Sequence, residues 1–181
     1  KIVENAFRDV NIAFVNELAQ SFDRLGVDVV DVIEGAATKP FAFLPHYPGC
    51  GVGGHCIPVD PYYLIEHAHQ YGFEHRFLRL AREINKGMPR YTMTLLVDAC
   101  AMAGLTPAAS GGARLGGVRV ALLGLSYKRD IDDLRESPAL EIRNLLAAEG
   151  ATVVTFDPHV PGRSTAPSLA DALSRADAVL I

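Results

Sequence analysis

At the start of the chain the apolar positions recur at helical spacing. Val3, Phe7, Val10, Phe14 and Leu18 follow one another at intervals of four, three, four and four residues, which makes one stripe of a helix. Ile12, Val15, Ala19 and Phe22 widen the stripe, so cover on more than one side is expected, and Gly26 closes the pattern. A short helix through VDVVDVIEGAAT follows. Residues 38–61 then lose all periodicity. They hold Pro40, Pro45, Pro48, Pro58 and Pro61, with Gly49, Gly51, Gly53 and Gly54 among them, and so predict a long structured loop of the kind that carries function. Tyr62–Tyr71 reads as a helix closed by Gly72. Residues 75–103 read as helical but interrupted near Gly87, Met88 and Pro89, because proline removes a donor and crowds the previous turn.

The segment LTPAASGGARLGG, residues 105–117, is small, polar and glycine-rich, and reads as a linker. Beyond it the period changes. VRVALLGL (118–125) is a strand covered on both faces, Pro138–Glu149 an amphipathic helix, and ATVVTFDP (151–158) a second strand. Leu169–Ser174 is a short helix, and AVLI starts a third strand. Strand, helix, strand, helix, strand predicts a parallel α/β sheet. The expected organisation is therefore a helical part, 1–104, a linker, 105–117, and an α/β part, 118–181. Both ends read as cut: residue 1 lies inside a helical pattern and ADAVLI stops within a buried strand.

Composition narrows the classes. The 181 residues are 49% hydrophobic and 21% charged with a net charge of −4, which excludes wholesale disorder and argues against a nucleic-acid coat. No apolar run has the length of a membrane span, and the charged start does not read as a signal peptide. Three cysteines are too few and too odd for a disulfide framework and fit a reducing, cytoplasmic setting.

Two segments are dense in chemistry. In GCGVGGHCIPVDPYYL, from Gly49 to Leu64, the glycines let backbone N–H groups approach a ligand closely, and Cys56 sits at the mouth of the following helix. Such a place suits a thiolate, so Cys56 is a candidate nucleophile with Asp60 as an orienting partner; a buried, inert cysteine in a tight turn is the alternative. His46, Cys50, His55 and Cys56 lie close together, but their spacing fits zinc poorly and no metal is expected. Lys1 and Asn5 share a helix face, and Glu4 with Arg8 reads as a surface ion pair. In GLSYKRDIDDLRESP, from Gly124 to Pro138, Lys128 and Arg135 lie beyond the carboxyl end of a strand, where open α/β sheets bind ligands, and suit phosphate or ribose oxygens. Asp132 and Asp133 are placed to hold Arg135, and Ser137 with Pro138 makes a good helix start. A G-x-G-x-x-G dinucleotide fingerprint is absent from the chain.

Three motifs together, KIVEN (Lys1–Asn5), GVGGHCIPVD (Gly51–Asp60) and GLSYKRDIDDLRESP, resemble the nucleotide-sugar 6-dehydrogenases: the UDP-glucose, UDP-N-acetylhexosamine and GDP-mannose dehydrogenases. The resemblance implies a helical central domain that dimerises through the first helix, followed by an incomplete Rossmann-like nucleotide-sugar domain, with the NAD-binding domain and its glutamate base missing. It implies oxidation of a sugar C6 alcohol to a carboxylate by two NAD⁺. Cys56 matches the nucleophile, Lys1 and Asn5 the oxyanion stabilisers, and Asp60 the acid that positions Lys1 and water. Tyr47, Pro48, Gly49, Gly51, Gly53, Tyr127 and Lys128 match substrate-binding positions, and Arg135 a position that touches NAD. Two departures stand out. Cys50 replaces a proline, and Pro40, with Lys39 beside it, stands where an arginine commonly reaches across the dimer. The stretch KPFAFLPHYPG is most similar to the UDP-N-acetylhexosamine branch, with UDP-glucose or GDP-mannose as alternative substrates. A non-catalytic nucleotide-sugar-binding or dimerisation module is the reading from a different class.

Overall fold

The structure is a computed structural model that describes residues 1–105 and 113–181. These fall into two compact units, Lys1–Met88 and Pro89–Ile181. Residues 106–112 of the expected linker lie outside the described residues.

The first unit contains α1 (Ile2–Leu25), α2 (Val29–Ala37), α3 (Cys56–Gln70) and the first half of α4 (Arg76–Met102). α2 is capped by Asp28, whose side chain accepts the Val30 N–H at 2.7 Å. α1 packs on α3, and its buried face is made of small and polar residues: Asn5, Ala6, Asp9, Ala13, Val15 and Asn16. The apolar stripe faces the other way. Val3, Phe7 and Phe14 are 70%, 50% and 54% exposed within this chain. Ile33, Ile65, Ala81 and Met88 complete the buried apolar set of the unit.

Two helices differ from the sequence expectation, both at prolines. α3 starts at Cys56, six residues ahead of the expected Tyr62. Pro58 falls in the first turn, where a backbone N–H has no helical partner, so its missing donor costs nothing there. α4 runs unbroken through Pro89 instead of stopping near it. Met88 and Pro89 are both buried, and that burial offsets the hydrogen bond lost to the Asn85 carbonyl.

The second unit holds β1 (Arg119–Leu123), α5 (Pro138–Ala148), β2 (Thr152–Phe156), a 3-10 turn at Pro161–Arg163, α6 (Leu169–Leu173) and β3 (Ala178–Leu180). The strands form a parallel sheet in the order β2-β1-β3, with Arg119 opposite Thr152 and Val120 opposite Ala178. The central strand is buried along Val120, Ala121 and Leu122, as its apolar run predicts. Ile142 and Leu146 of α5 are fully buried, each worth roughly 1.5–3 kcal/mol of apolar transfer. Residues 113–117 form a turn against the end of α5: Leu115 is fully buried and its N–H donates to the Glu149 carbonyl. Gly150 makes this approach feasible, because a Cβ there would lie 2.9 Å from the Ala113 Cβ.

Candidate active site

In the first unit the thiol, the carboxylate and the amide singled out by sequence come from two crossing helices. Gly51 and Gly54 hold φ of 136° and 84°, which few other residues adopt, and so turn the chain into α3. Cys56 is the first residue of α3 and is exposed. That helix start has no side-chain cap and no acidic residue in its first turn. Asp60 lies one turn on, along the same face. Its Oδ2 accepts a 2.6 Å hydrogen bond from Asn5 Nδ2 on α1, and Asn5 is 2% exposed. Asn5 and Asp60 are thus brought together and aligned.

Lys1 is not part of that pair. It stands at the N-cap of α1 with its ammonium 3.2 Å from Glu4, a pair that is open to solvent. The structure therefore joins Glu4 to Lys1, where the sequence pattern pairs it with Arg8, and joins Asp60 to Asn5. An exposed pair of this kind contributes little, so Lys1 leaves Glu4 easily for a stronger anion.

The loop before Cys56 carries Tyr47, Pro48, Gly49, Gly51 and Gly53. Tyr47 and Gly49 are exposed; Pro48, Gly51 and Gly53 are half-buried. A Cβ at Gly49 would meet no atom of the described residues within 4 Å, although the Gly49 N–H is held by Asn16 Oδ1 at 2.9 Å. Asn16 Nδ2 donates to Asn85 Oδ1 at 2.9 Å, Asn85 Nδ2 donates to Asp9, and Arg82 Nη1 donates to Asp9 Oδ1. All four of these side chains are buried. Burial pushes the Asp9 carboxyl up from its ordinary pKa, against the pull of Arg82 and Asn85. None of the four is prominent in a motif. The signal that marks them is the spacing of Asn5, Asp9 and Asn16, which puts three polar residues on one face of α1.

In the second unit Tyr127 and Lys128 follow β1 at the carboxyl edge of the sheet, Tyr127 half-buried and Lys128 exposed. The turn before them is pinned by Asp157, directly after β2. Asp157 Oδ2 accepts the N–H groups of Leu125 (2.7 Å) and Ser126 (2.9 Å) and the Ser126 hydroxyl, and Oδ1 accepts the His159 N–H. Burial alone would raise the Asp157 pKa, but these donors outweigh it and hold the carboxyl below its ordinary value. Asp133 holds Arg135 through paired bonds from Nε and Nη2, and those bonds keep the Asp133 carboxyl low. Ser137 stands at the start of α5, yet its hydroxyl does not cap the helix; it donates to the Leu125 carbonyl at 2.7 Å and ties the same turn from below.

Among the described residues no three His, Cys, Asp or Glu side chains converge as a metal site, and no helix is long and apolar enough to cross a membrane. The first unit is helical, with a thiol at the mouth of α3, and the second is a parallel α/β unit whose strand ends are braced by side chains. Residues 1–87 match the family model described as the UDP-glucose/GDP-mannose dehydrogenase family, central domain, and residues 121–181 the UDP binding domain of the same family. The chain belongs to the UDP-glucose/GDP-mannose dehydrogenase family. It is 41% identical, over its whole length, to the UDP-N-acetyl-D-mannosamine dehydrogenase of Pyrococcus horikoshii, of which it covers 40%. It is 40% identical, over 88% of its length, to the UDP-N-acetyl-D-glucosamine 6-dehydrogenase of Pseudomonas aeruginosa, of which it covers 36%. The solved P. horikoshii enzyme superposes on 99% of the chain with a TM-score of 0.85, and a UDP-glucose dehydrogenase from Pyrobaculum islandicum at 31% identity with 0.81; the chain covers 40% and 41% of those structures. The chain spans about two fifths of the length of these relatives.

Proposed function

We propose that this chain is the central and nucleotide-sugar-binding part of an NAD-dependent dehydrogenase that oxidises C6 of a UDP-N-acetylhexosamine from alcohol to carboxylate. The boundaries that go with this reading are 1–104, with the catalytic segment 38–61 running into α3 from Cys56, the linker at 105–117, and 118–181. The observation that carries it is the exposed Cys56 at an uncapped helix start, one turn from an Asp60 that is locked to a buried Asn5. NAD⁺, when bound, takes up hydride from the sugar carbon. Arg135 fits a phosphate or ribose oxygen of that cofactor, because Asp133 fixes its guanidinium at an exposed position.

The chain's own residues account for the rest. The Cys56 thiolate adds to the C6 aldehyde, and the carbonyl oxygen becomes the oxyanion of a thiohemiacetal. Lys1 and the Asn5 amide donate to that oxyanion. Loss of a second hydride leaves a thioester, which water cleaves to a carboxylate and the free thiol, with Asp60 orienting the water. Covalent capture keeps the aldehyde from leaving between the two oxidations. Tyr47, Pro48, Gly49, Gly51 and Gly53 line the sugar and base, and Tyr127 and Lys128 meet the UDP part. The wording of Lys39–Gly49 and the relatives' N-acetylhexosamine substrates support an acetamido sugar. The products of such an enzyme serve cytoplasmic polysaccharide precursor synthesis.

The test is an assay of the complete gene product with UDP-N-acetylglucosamine, UDP-N-acetylmannosamine, UDP-glucose and GDP-mannose. Two NADH per sugar, with an acetamido sugar preferred, is expected; no NADH from any of the four overturns the reading.

A second copy of the chain is proposed to cover the outward stripe of α1. Ile2, Val3, Phe7 and Phe14, with Phe77 and Leu80 of α4, leave an apolar face open on the first unit. Lys39 lies over the Phe41 ring rather than standing free for a partner's site. Sedimentation of the chain should show a dimer, and a clean monomer at micromolar concentration would exclude it.

A further inference from the structure

We propose that Asn16 is a positioning residue for the nucleotide sugar: it fixes the amide of Gly49 and thereby the path of Tyr47–Gly53, and so sets substrate affinity rather than the rate of oxidation. The inference rests on the reading of that stretch as part of the substrate site. Asn16 is fully buried in the middle of α1, and its two side-chain atoms do different work. Oδ1 reaches out to the loop and accepts the Gly49 N–H; Nδ2 reaches inward to Asn85 Oδ1. Asn85 is held in turn by Asp9, and Asp9 by Arg82. Asn85 offers its oxygen to Asn16 because its own Nδ2 is committed to Asp9, so the amide of Asn16 has a defined orientation, with oxygen toward the loop.

Two features give this arrangement a purpose outside the fold. The network ends at the backbone amide of Gly49, an exposed residue of the loop, so the bond determines where the loop runs. Among the described residues nothing requires a glycine at position 49: its φ is not positive and a Cβ would touch none of them. The space beside Gly49 is thus open, and the backbone that borders it is tethered.

The experiment has two readouts. Amide exchange of the wild-type protein, resolved at Gly49, should show protection at least about tenfold above the exposed loop amides around it. The Asn16→Ala variant should lose that protection. In the complete enzyme it should raise KM for the preferred nucleotide sugar at least about tenfold while kcat stays within about threefold. A residue that merely supports the fold would lower the melting temperature and the active fraction, and hence kcat, with KM unchanged; that result overturns the proposal. An unprotected Gly49 amide in the wild-type protein overturns it without any variant. A wild-type enzyme that turns over no nucleotide sugar defeats the substrate reading itself, and the inference falls with it, whereas turnover with KM insensitive to Asn16→Ala defeats the inference alone.

Discussion

Replacing Cys56 with serine will lower the oxidation of nucleotide sugar by about 10²–10⁴-fold and abolish the second NADH. The change is nearly isosteric and the site is exposed, so the fold has no reason to change. A serine hydroxyl is scarcely ionised at neutral pH, so capture of the aldehyde fails at the step that needs a strong nucleophile. Cys50 is the internal control. It is half-buried in the same loop, and burial pushes its thiol up, which keeps it protonated and unreactive. Cys50→Ser should be close to silent. The measurement is NADH released per sugar consumed by both variants of the complete enzyme. If Cys50→Ser is inactive and Cys56→Ser retains two NADH per sugar, the nucleophile has been misassigned.

Removing Asp9 will destabilise the protein by about 3–5 kcal/mol, because it leaves the Arg82 guanidinium buried without its carboxylate. Arg82 is 4% exposed and Asp9 1% exposed, so water cannot take over the missing partner. The pair is not fully satisfied even when intact: Asp9 Oδ2 and Arg82 Nε have no hydrogen-bond partner among the described residues. Its net contribution is therefore small while the cost of breaking it is large. Urea unfolding of Asp9→Ala should show the loss. The double variant Asp9→Leu/Arg82→Met, which removes both charges and keeps the volume, should recover most of it. An Asp9→Ala midpoint equal to that of the wild type would mean that Arg82 finds another anion.

The positions of helices and strands were legible because their signals are local. Gly26 ends α1, the β1 and β2 runs are apolar, and Gly150 follows α5, all as read from the chain. The face that each element presents was less legible. The stripe Val3–Phe7–Phe14 shows that α1 has an apolar side, but not what lies against it. In the chain that side is open, and the inner side is built of Asn5, Asp9 and Asn16, which hydrogen-bond to Asp60, Arg82 and Asn85 on helices far along the sequence. The prolines misled for a related reason. Whether a proline breaks a helix depends on whether its N–H was needed and on what its ring buries, and both are tertiary facts at Pro58 and Pro89. Ser137 has the residue type and place of a cap, yet its hydroxyl is engaged by Leu125. At the site, the motifs located Cys56, Asn5 and Asp60, while Asn16 and Asn85 carried no motif.

The bonds that shape the loop and its thiol join residues 33, 55, 69, 73 and 76 positions apart. Closing such spans costs chain entropy that rises by about 0.6 kcal/mol per doubling of length, and no single one of these bonds repays it. They form together, once α1 has docked on its partners. A peptide of residues 38–70 holds the whole GVGGHCIPVD motif but none of Asn5, Asn16, Asn85, Asp9 or Arg82, and so it carries the letters of the site without its shape.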